Sequence, residues 1–181
     1  MEPAQTHGEA LRHQDQADAE AGASPEVRVE ILHQSDRTRV RRVYLPGWSL
    51  VRKEPLGPDA QRRLEHELSM LERLRGVEGV AQVLEAPRYP GSIVLEDVGG
   101  TTMAGARKPL AVDELIAVAM RLARALAGMH GRGVMHRDIT PANIVRSTDG
   151  APWLVDFALA TSAAEIRPEF AHHSEIVGTL P

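Results

Sequence analysis

Between residues 27 and 54 apolar and polar positions alternate, and a period of two predicts strands. Three runs carry it, 27–32, 40–45 and 49–53, the last two parted by the turn-forming pair Pro46 and Gly47. The alternation of the first run predicts a half-buried strand. The period then lengthens. Pro58 and Asp59 open a stretch reaching about Arg75 in which Leu64, Leu68, Leu71 and Leu74 recur at intervals of four, three and three, the stripe of an amphipathic helix. Glu67 borders that stripe, so its carboxylate needs a cation, whereas Glu65 and Glu72 face water. Gly76 ends the helix. Two more strands are predicted at 80–84 and 92–95, around a turn at 87–91. Asp113 is the expected cap of a second helix reaching about His130, with Leu115, Ala119, Leu122, Leu126 and Met129 as its core stripe. Gly131 and Gly133 stop it. Ile144 and Val145, then Trp153, Leu154 and Val155, flank an Asp-Gly hairpin turn at 147–150. Such a hairpin brings Asn143 and Asp156 together at one end of its ladder, with Asp138 on the loop just before it.

Composition narrows the picture. A chain of 181 residues suits one domain, or one and a part. Apolar residues make up 43% and aromatics only 3%, so the core must be aliphatic. A net charge of −4 gives no electrostatic case for nucleic acid or a membrane surface. The absence of cysteine excludes disulfides and thiolate metal sites. No apolar run approaches the ~20 residues of a membrane span, and the N-terminus lacks the basic start and apolar stretch of a signal peptide, so a cytoplasmic protein is expected. Residues 1–24 hold only Met1 and Leu11 as large apolar side chains and are expected to form a disordered tail, with His7 and His13 solvated. His172 and His173 are expected as a solvated pair. Among 21 basic residues only Lys53 and Lys108 are lysines, which invites a reason specific to each.

The chemistry concentrates between residues 134 and 158. A carboxylate, Asp138, stands five residues before an amide, Asn143, and a second carboxylate, Asp156, comes after the hairpin. Phosphoryl transfer uses such a set: one carboxylate takes the proton of the attacking hydroxyl, while an amide oxygen and a second carboxylate hold magnesium on the phosphates. The order His136-Arg137-Asp138, four residues, Asn143, then Asp156-Phe157 is that of the protein-kinase catalytic loop and metal motif, and the chain resembles a eukaryotic-like bacterial serine/threonine protein kinase domain.

That resemblance implies an α+β, two-lobed fold: a small lobe over 25–98 with an antiparallel sheet plus one helix, and an incomplete, mostly helical large lobe over 99–181. It implies ATP and Mg2+ as cofactors. Asp138 would be the catalytic carboxylate, Asn143 and Asp156 the metal ligands, and Lys53 the phosphate-bridging lysine held by Glu67. Val40, Val51, Lys53, Glu96, Val98 and Val145 would meet the nucleotide, Glu96 and Val98 through their backbone, with Leu95 guarding the pocket. His136 would be structural, packing toward Phe157, and Arg137 would receive a phosphorylated residue of the activation segment. In that segment Thr161, Ser162, Ser174 and Thr179 are possible acceptors, and Thr179 is expected to hydrogen-bond Asp138. The family's phosphate loop, Gly-x-Gly-x-x-Gly-x-Val, falls here on His33, Ser35 and Thr38 ahead of Val40, so its glycines are absent, and Ser35 and Thr38 would offer hydroxyls instead. Thr140 stands where the family has a lysine, and Ala158 where it has a glycine.

The family's large lobe continues well past residue 181, so a truncated domain of low stability is expected. The runs Val155 to Ala160 and Glu165 to Phe170 resemble the kinase module that opens large bacterial proteins with ATPase and histidine-kinase parts. Three functions compete: a kinase acting on protein Ser/Thr hydroxyls, a nucleotide-binding or scaffolding pseudokinase, and a small-molecule phosphotransferase of the aminoglycoside or choline type. Arg137 and the long segment ending in Gly178-Thr179-Leu180-Pro181 speak against the third.

Overall fold

The computed structural model describes residues 27–85 and 87–163; the expectations for residues 1–24, His172, His173, Ser174 and Thr179 lie outside them. The alternating runs become antiparallel strands β1 (Val29–Gln34), β2 (Thr38–Leu45) and β3 (Trp48–Pro55), and β4 (Ile93–Glu96) joins the far side of β3. Pairing of Val40 with Lys53 and of Arg42 with Val51 puts these four side chains on one face. Val43 and Leu50 point the other way and pack with Val94. β1 departs from expectation. It starts two residues later, and Val29, Ile31 and Leu32 stay open to solvent. Among the described residues it is an edge strand, bulged between Ile31 and His33 and paired with β2 alone.

The leucine stripe folds as α1 (Ala60–Arg73), with Met70, Leu71 and Leu74 buried in one cluster with Ile93 and Leu95 of β4. The turn that follows the helix is held by the Gln82 amide, whose Nε2 lies 3.4, 3.3 and 2.9 Å from the carbonyls of Leu74, Val77 and Val80. Its Oε1 accepts the Gly76 N–H at 2.8 Å.

The strand expected over 80–84 is absent. The backbone of this segment is shared between two sheets, so neither ladder grows beyond a single bridge on it. On one side Leu154 N donates to Gly79 O at 2.8 Å and Ala81 N to Leu154 O at 3.0 Å. On the other, Leu84 N donates to Val94 O and Glu96 N to Gln82 O, both at 2.9 Å.

The second helix, α2 (Val112–Gly131), begins at a cap position held by Ala111, with no side-chain cap. Asp113 therefore sits inside the first turn with Glu114, where the helix dipole favours carboxylates, rather than at the cap. Its core stripe is also turned from the expected one. Val118, Ala125 and Met129 are buried, Leu122 and Leu126 pack partly against the core, and Ala119 and Leu115 are exposed, Leu115 at 53%. The helix carries two overlapping apolar stripes, and its packing on the strands beyond it selects one.

Those strands are short. β5 (Thr101–Thr102), β7 (Ile144–Arg146) and β8 (Pro152–Leu154) form a second sheet in the order β5-β7-β8, and β6 (Val134–Met135) pairs with β9 (Thr161–Ser162). The Asp-Gly turn closes as expected, with Ser147 N on Ala151 O and Gly150 N on Ser147 O, both 2.9 Å. The chain passes from the first sheet to the second through Gly99 and Gly100. Gly100 has φ 72°, and a Cβ there would lie 1.7 Å from the Arg146 carbonyl oxygen, so only glycine fits. The α+β assembly closes around Leu74, Val80, Met129, Val134 and Leu154, aliphatic as composition requires, with Phe157 as the aromatic member. Among the described residues no helix is long and apolar enough to cross a membrane.

Candidate active site

β3 delivers Lys53, α1 delivers Glu67, and the exit of β8 delivers Asp156. Lys53 Nζ lies 2.7 Å from Glu67 Oε1 and 2.7 Å from Asp156 Oδ1. Lys53 and Glu67 are 5% and 3% exposed. Burial alone would push the lysine down, but the negative charges of Glu67 and Asp156 outweigh it and hold its pKa above the ordinary value. Burial likewise pushes Asp156 up, and Lys53 reverses that to a net lowering. Glu67 Oε1 also accepts the Phe157 N–H at 3.0 Å, and Asp156 Oδ1 the Ala158 N–H at 3.3 Å. Asp156 adopts φ 64°, a left-handed conformation uncommon outside glycine, held by contacts on both flanks.

His136 organises the loop before the hairpin. It is buried, its ring 4.7 Å from that of Phe157. Its Nε2 lies 3.0 Å from Val155 O, and its Nδ1 accepts the Asp138 N–H at 3.3 Å. A neutral ring protonated on Nε2 satisfies both. Burial dominates and lowers the His136 pKa. The native state thus resists protonation more than the unfolded chain does. Its contribution is complete above the unfolded value of about 6.5 and is lost as pH falls through the depressed native value. Denaturant midpoints measured from pH 8 downward should therefore fall in acid, and His136→Asn should flatten that fall.

Asn143 closes the 3-10 turn Pro141–Asn143. Its Nδ2 donates to Asp138 Oδ2 at 2.8 Å and to Asp138 O at 3.0 Å, and its backbone carbonyl accepts the Val155 N–H at 3.0 Å. The amide, the loop carboxylate and the strand leading to Asp156 therefore meet at one end of the hairpin. Arg137, between His136 and Asp138, is half-buried with φ 67°.

Between the two sheets lies a cavity of about 550 Å³. Val40, Val51, Lys53, Leu95 and Glu96 line it from the first sheet, Val145 from the second, and Val98 from the connection between them. Asn143 and Asp156 reach it as well. Glu67 and Asp138 are not in its wall: Glu67 stands behind Lys53, and Asp138 beside Asn143. The donors suit a hard divalent cation, being a carboxylate and an amide oxygen. Lys53 and Ala158 both engage Oδ1 of Asp156, so neither contact consumes its second oxygen.

Ser35 and Thr38 both line the cavity, as their place ahead of Val40 implies, but Ser35 is also engaged within its own turn. Its Oγ accepts the N–H groups of Arg37 and Thr38 at 3.2 and 3.1 Å and points its own proton at Thr38 O, 3.4 Å away. The turn thus spends on itself the backbone donors a glycine-rich loop would present to phosphate. Thr161 and Ser162 are buried in the β6–β9 pair, 9% and 4% exposed, so they are not accessible acceptors in this conformation. The sequence reading also missed Arg42, Asp97 and Trp153, all in the cavity wall. Arg42 could have been found, since it alternates with Val40 along β2. Asp97 carried no sequence signal. His66 was missed too; its Nε2 lies 2.8 Å from Ala160 O and ties α1 to the segment after Asp156.

Among known proteins, the protein kinase domain family matches residues 50–180. A probable cAMP-dependent protein kinase catalytic subunit of Encephalitozoon cuniculi is 32% identical over 108 residues, 57% of this chain and 34% of that protein. The serine/threonine-protein kinase PknE of Mycobacterium bovis is 28% identical over 127 residues, 68% of this chain and 22% of that protein. A probable serine/threonine-protein kinase PknB of Lactococcus lactis is 32% identical over 93 residues, 50% of this chain and 14% of that protein. The chain thus spans about a third or less of the length of these relatives.

Proposed function

Since the chain belongs to the protein kinase domain family, we propose that it transfers the γ-phosphoryl group of ATP to serine or threonine hydroxyls of proteins. The observation that carries this reading is the Lys53–Glu67–Asp156 cluster, with both oxygens 2.7 Å from Lys53 Nζ, at a cavity that Asn143 also lines. The domain uses ATP with a divalent metal, and magnesium is the proposed ion, with Asn143 and Asp156 as its ligands. When bound, it would neutralise charge on the phosphate oxygens. Lys53 neutralises further phosphate charge, and Glu67 fixes its ammonium. Asp138, anchored by Asn143 Nδ2, orients the acceptor hydroxyl and takes its proton. His136 holds the backbone of Asp138 through Nδ1. Val40, Val51 and Val145 supply apolar contacts to the base, and Glu96 and Val98 its backbone hydrogen bonds.

The division into a small lobe to Val98 and a large lobe from Gly99 is part of this proposal, supported by the glycine passage between two sheets. So is a cytoplasmic setting, where ATP is at hand, and so are further ATPase and histidine-kinase parts in longer relatives. The closed Ser35 turn favours a second reading, nucleotide binding without transfer. One experiment separates them. Melting of the chain is followed with ATP, with and without magnesium, and labelled γ-phosphate is then chased into a generic protein acceptor and into small alcohols. Melting raised by magnesium-ATP together with label in protein serine or threonine is expected. A melting shift with no label in any acceptor selects the second reading, and label in the alcohols alone refutes both.

A further inference from the structure

Asp97 is flanked by Glu96 and Val98, the two residues whose backbone groups face the base in the proposed nucleotide site. We propose that Asp97 and Arg42 form a bolt that fixes this backbone for the purine, making both positioning residues. The proposal rests on the nucleotide reading and deepens it.

The Asp97 carboxylate is 4% exposed and has four contacts. Arg42 Nε donates at 2.7 Å and Arg42 Nη2 at 3.3 Å, Ser49 Oγ donates at 2.6 Å, and the Gly99 N–H at 2.9 Å. Arg42 extends the network to Glu30 Oε2 at 3.4 Å and to Gly100 O at 3.5 Å, and Glu30 accepts the Tyr44 hydroxyl at 2.6 Å. Three strands, β1, β2 and β3, are thereby tied to one residue of the connection. Burial pushes the Asp97 carboxyl up, but Ser49, Gly99 and Arg42 together hold it below its ordinary value, so it is ionised at neutral pH.

The need for such a bolt comes from the two glycines next along the chain. Gly99 and Gly100 both have positive φ, 69° and 72°, and glycine leaves a connection with the most conformations to lose on ordering. Backbone hydrogen bonds to a ligand are effective only when their groups are already in place. Arg42 lines the cavity beside Asp97, yet its guanidinium is taken by two carboxylates and a carbonyl, which makes it a strut rather than a phosphate contact.

Equilibrium titration of the whole chain with ATP, adenosine and magnesium tripolyphosphate tests this. Asp97→Asn, Arg42→Gln and the milder Ser49→Ala should each weaken ATP and adenosine, the first two by about tenfold, and leave tripolyphosphate unchanged, because Lys53, Asn143 and Asp156 are untouched. The Asp97→Asn/Arg42→Gln double variant should bind no worse than either single one. Ser49→Ala keeps the test open if a charge variant does not fold. Wild-type adenosine affinity in the folded variants overturns the bolt, as does an equal loss of tripolyphosphate. If the wild type binds neither ATP nor adenosine, the nucleotide reading itself fails and the bolt with it.

Discussion

Asp138→Asn is expected to slow phosphoryl transfer by a factor of about 10²–10⁴, the range general-base groups contribute, while ATP affinity and melting temperature stay near wild type. The substitution keeps the shape of the side chain, and its remaining oxygen can still accept from Asn143 Nδ2, which now lies 2.8 Å from Asp138 Oδ2. What disappears is the basic oxygen that takes the acceptor's proton. Asp138 is not part of the cavity wall, so nucleotide contacts are not removed. Single-turnover transfer beside a calorimetric melt reads the two effects separately. A transfer rate equal to wild type would remove Asp138 from the chemistry.

Lys53→Ala is expected to cost about 3–5 kcal/mol of stability, the typical loss when one partner of a buried ion pair is removed. Among the described residues Glu67 would keep the Phe157 N–H alone, at 3.0 Å, in a site where it is 3% exposed. Asp156, with a side chain 44% exposed, can turn part of its charge to water, so the larger loss belongs to Glu67. Replacing both partners, as in Lys53→Met/Glu67→Leu, should recover most of the stability, since no buried charge is left unpaired. Transfer should remain lost in the double variant. Denaturant unfolding of the three proteins checks the order. A single variant as stable as wild type would mean that water already reaches the pair.

The sequence was most legible where one pattern dictated one answer. Alternation gave β2 and β3, and the Asp-Gly turn gave the hairpin that brings Asn143 alongside Val155. A carboxylate beside the leucine stripe required a cation, and Lys53 supplies it. Reading failed where backbone groups had several possible partners. Residues 80–84 looked like a strand because they form a short, mostly apolar run, but such a run cannot say that their N–H and C=O groups would be divided between two sheets. On α2 two apolar stripes overlap, and only the neighbouring strands decide that Ala125 goes in and Leu115 stays out. Around the site, Lys53, Asn143 and Asp156 sit in a recognisable spacing. Asp97 and Arg42 interact across 55 positions of sequence and match no local pattern. Ser35 does line the cavity, but no sequence pattern shows that its Oγ also accepts the donors of its own turn.

The backbone stitches at Gly79, Ala81, Gln82 and Leu84 bear on how the cavity admits a ligand. Each of the two sheets is fastened to the same strip of chain, close behind the cavity, with Ala81 itself in its wall. A clam-like gape about Gly99 and Gly100 would tear those stitches, so a twist about the strip is the expected motion, one that shifts the Ser35 turn at the cavity rim. Entry is therefore expected to be gated at the rim, and rigidifying the glycine passage should alter ligand on-rates less than pinning the rim does.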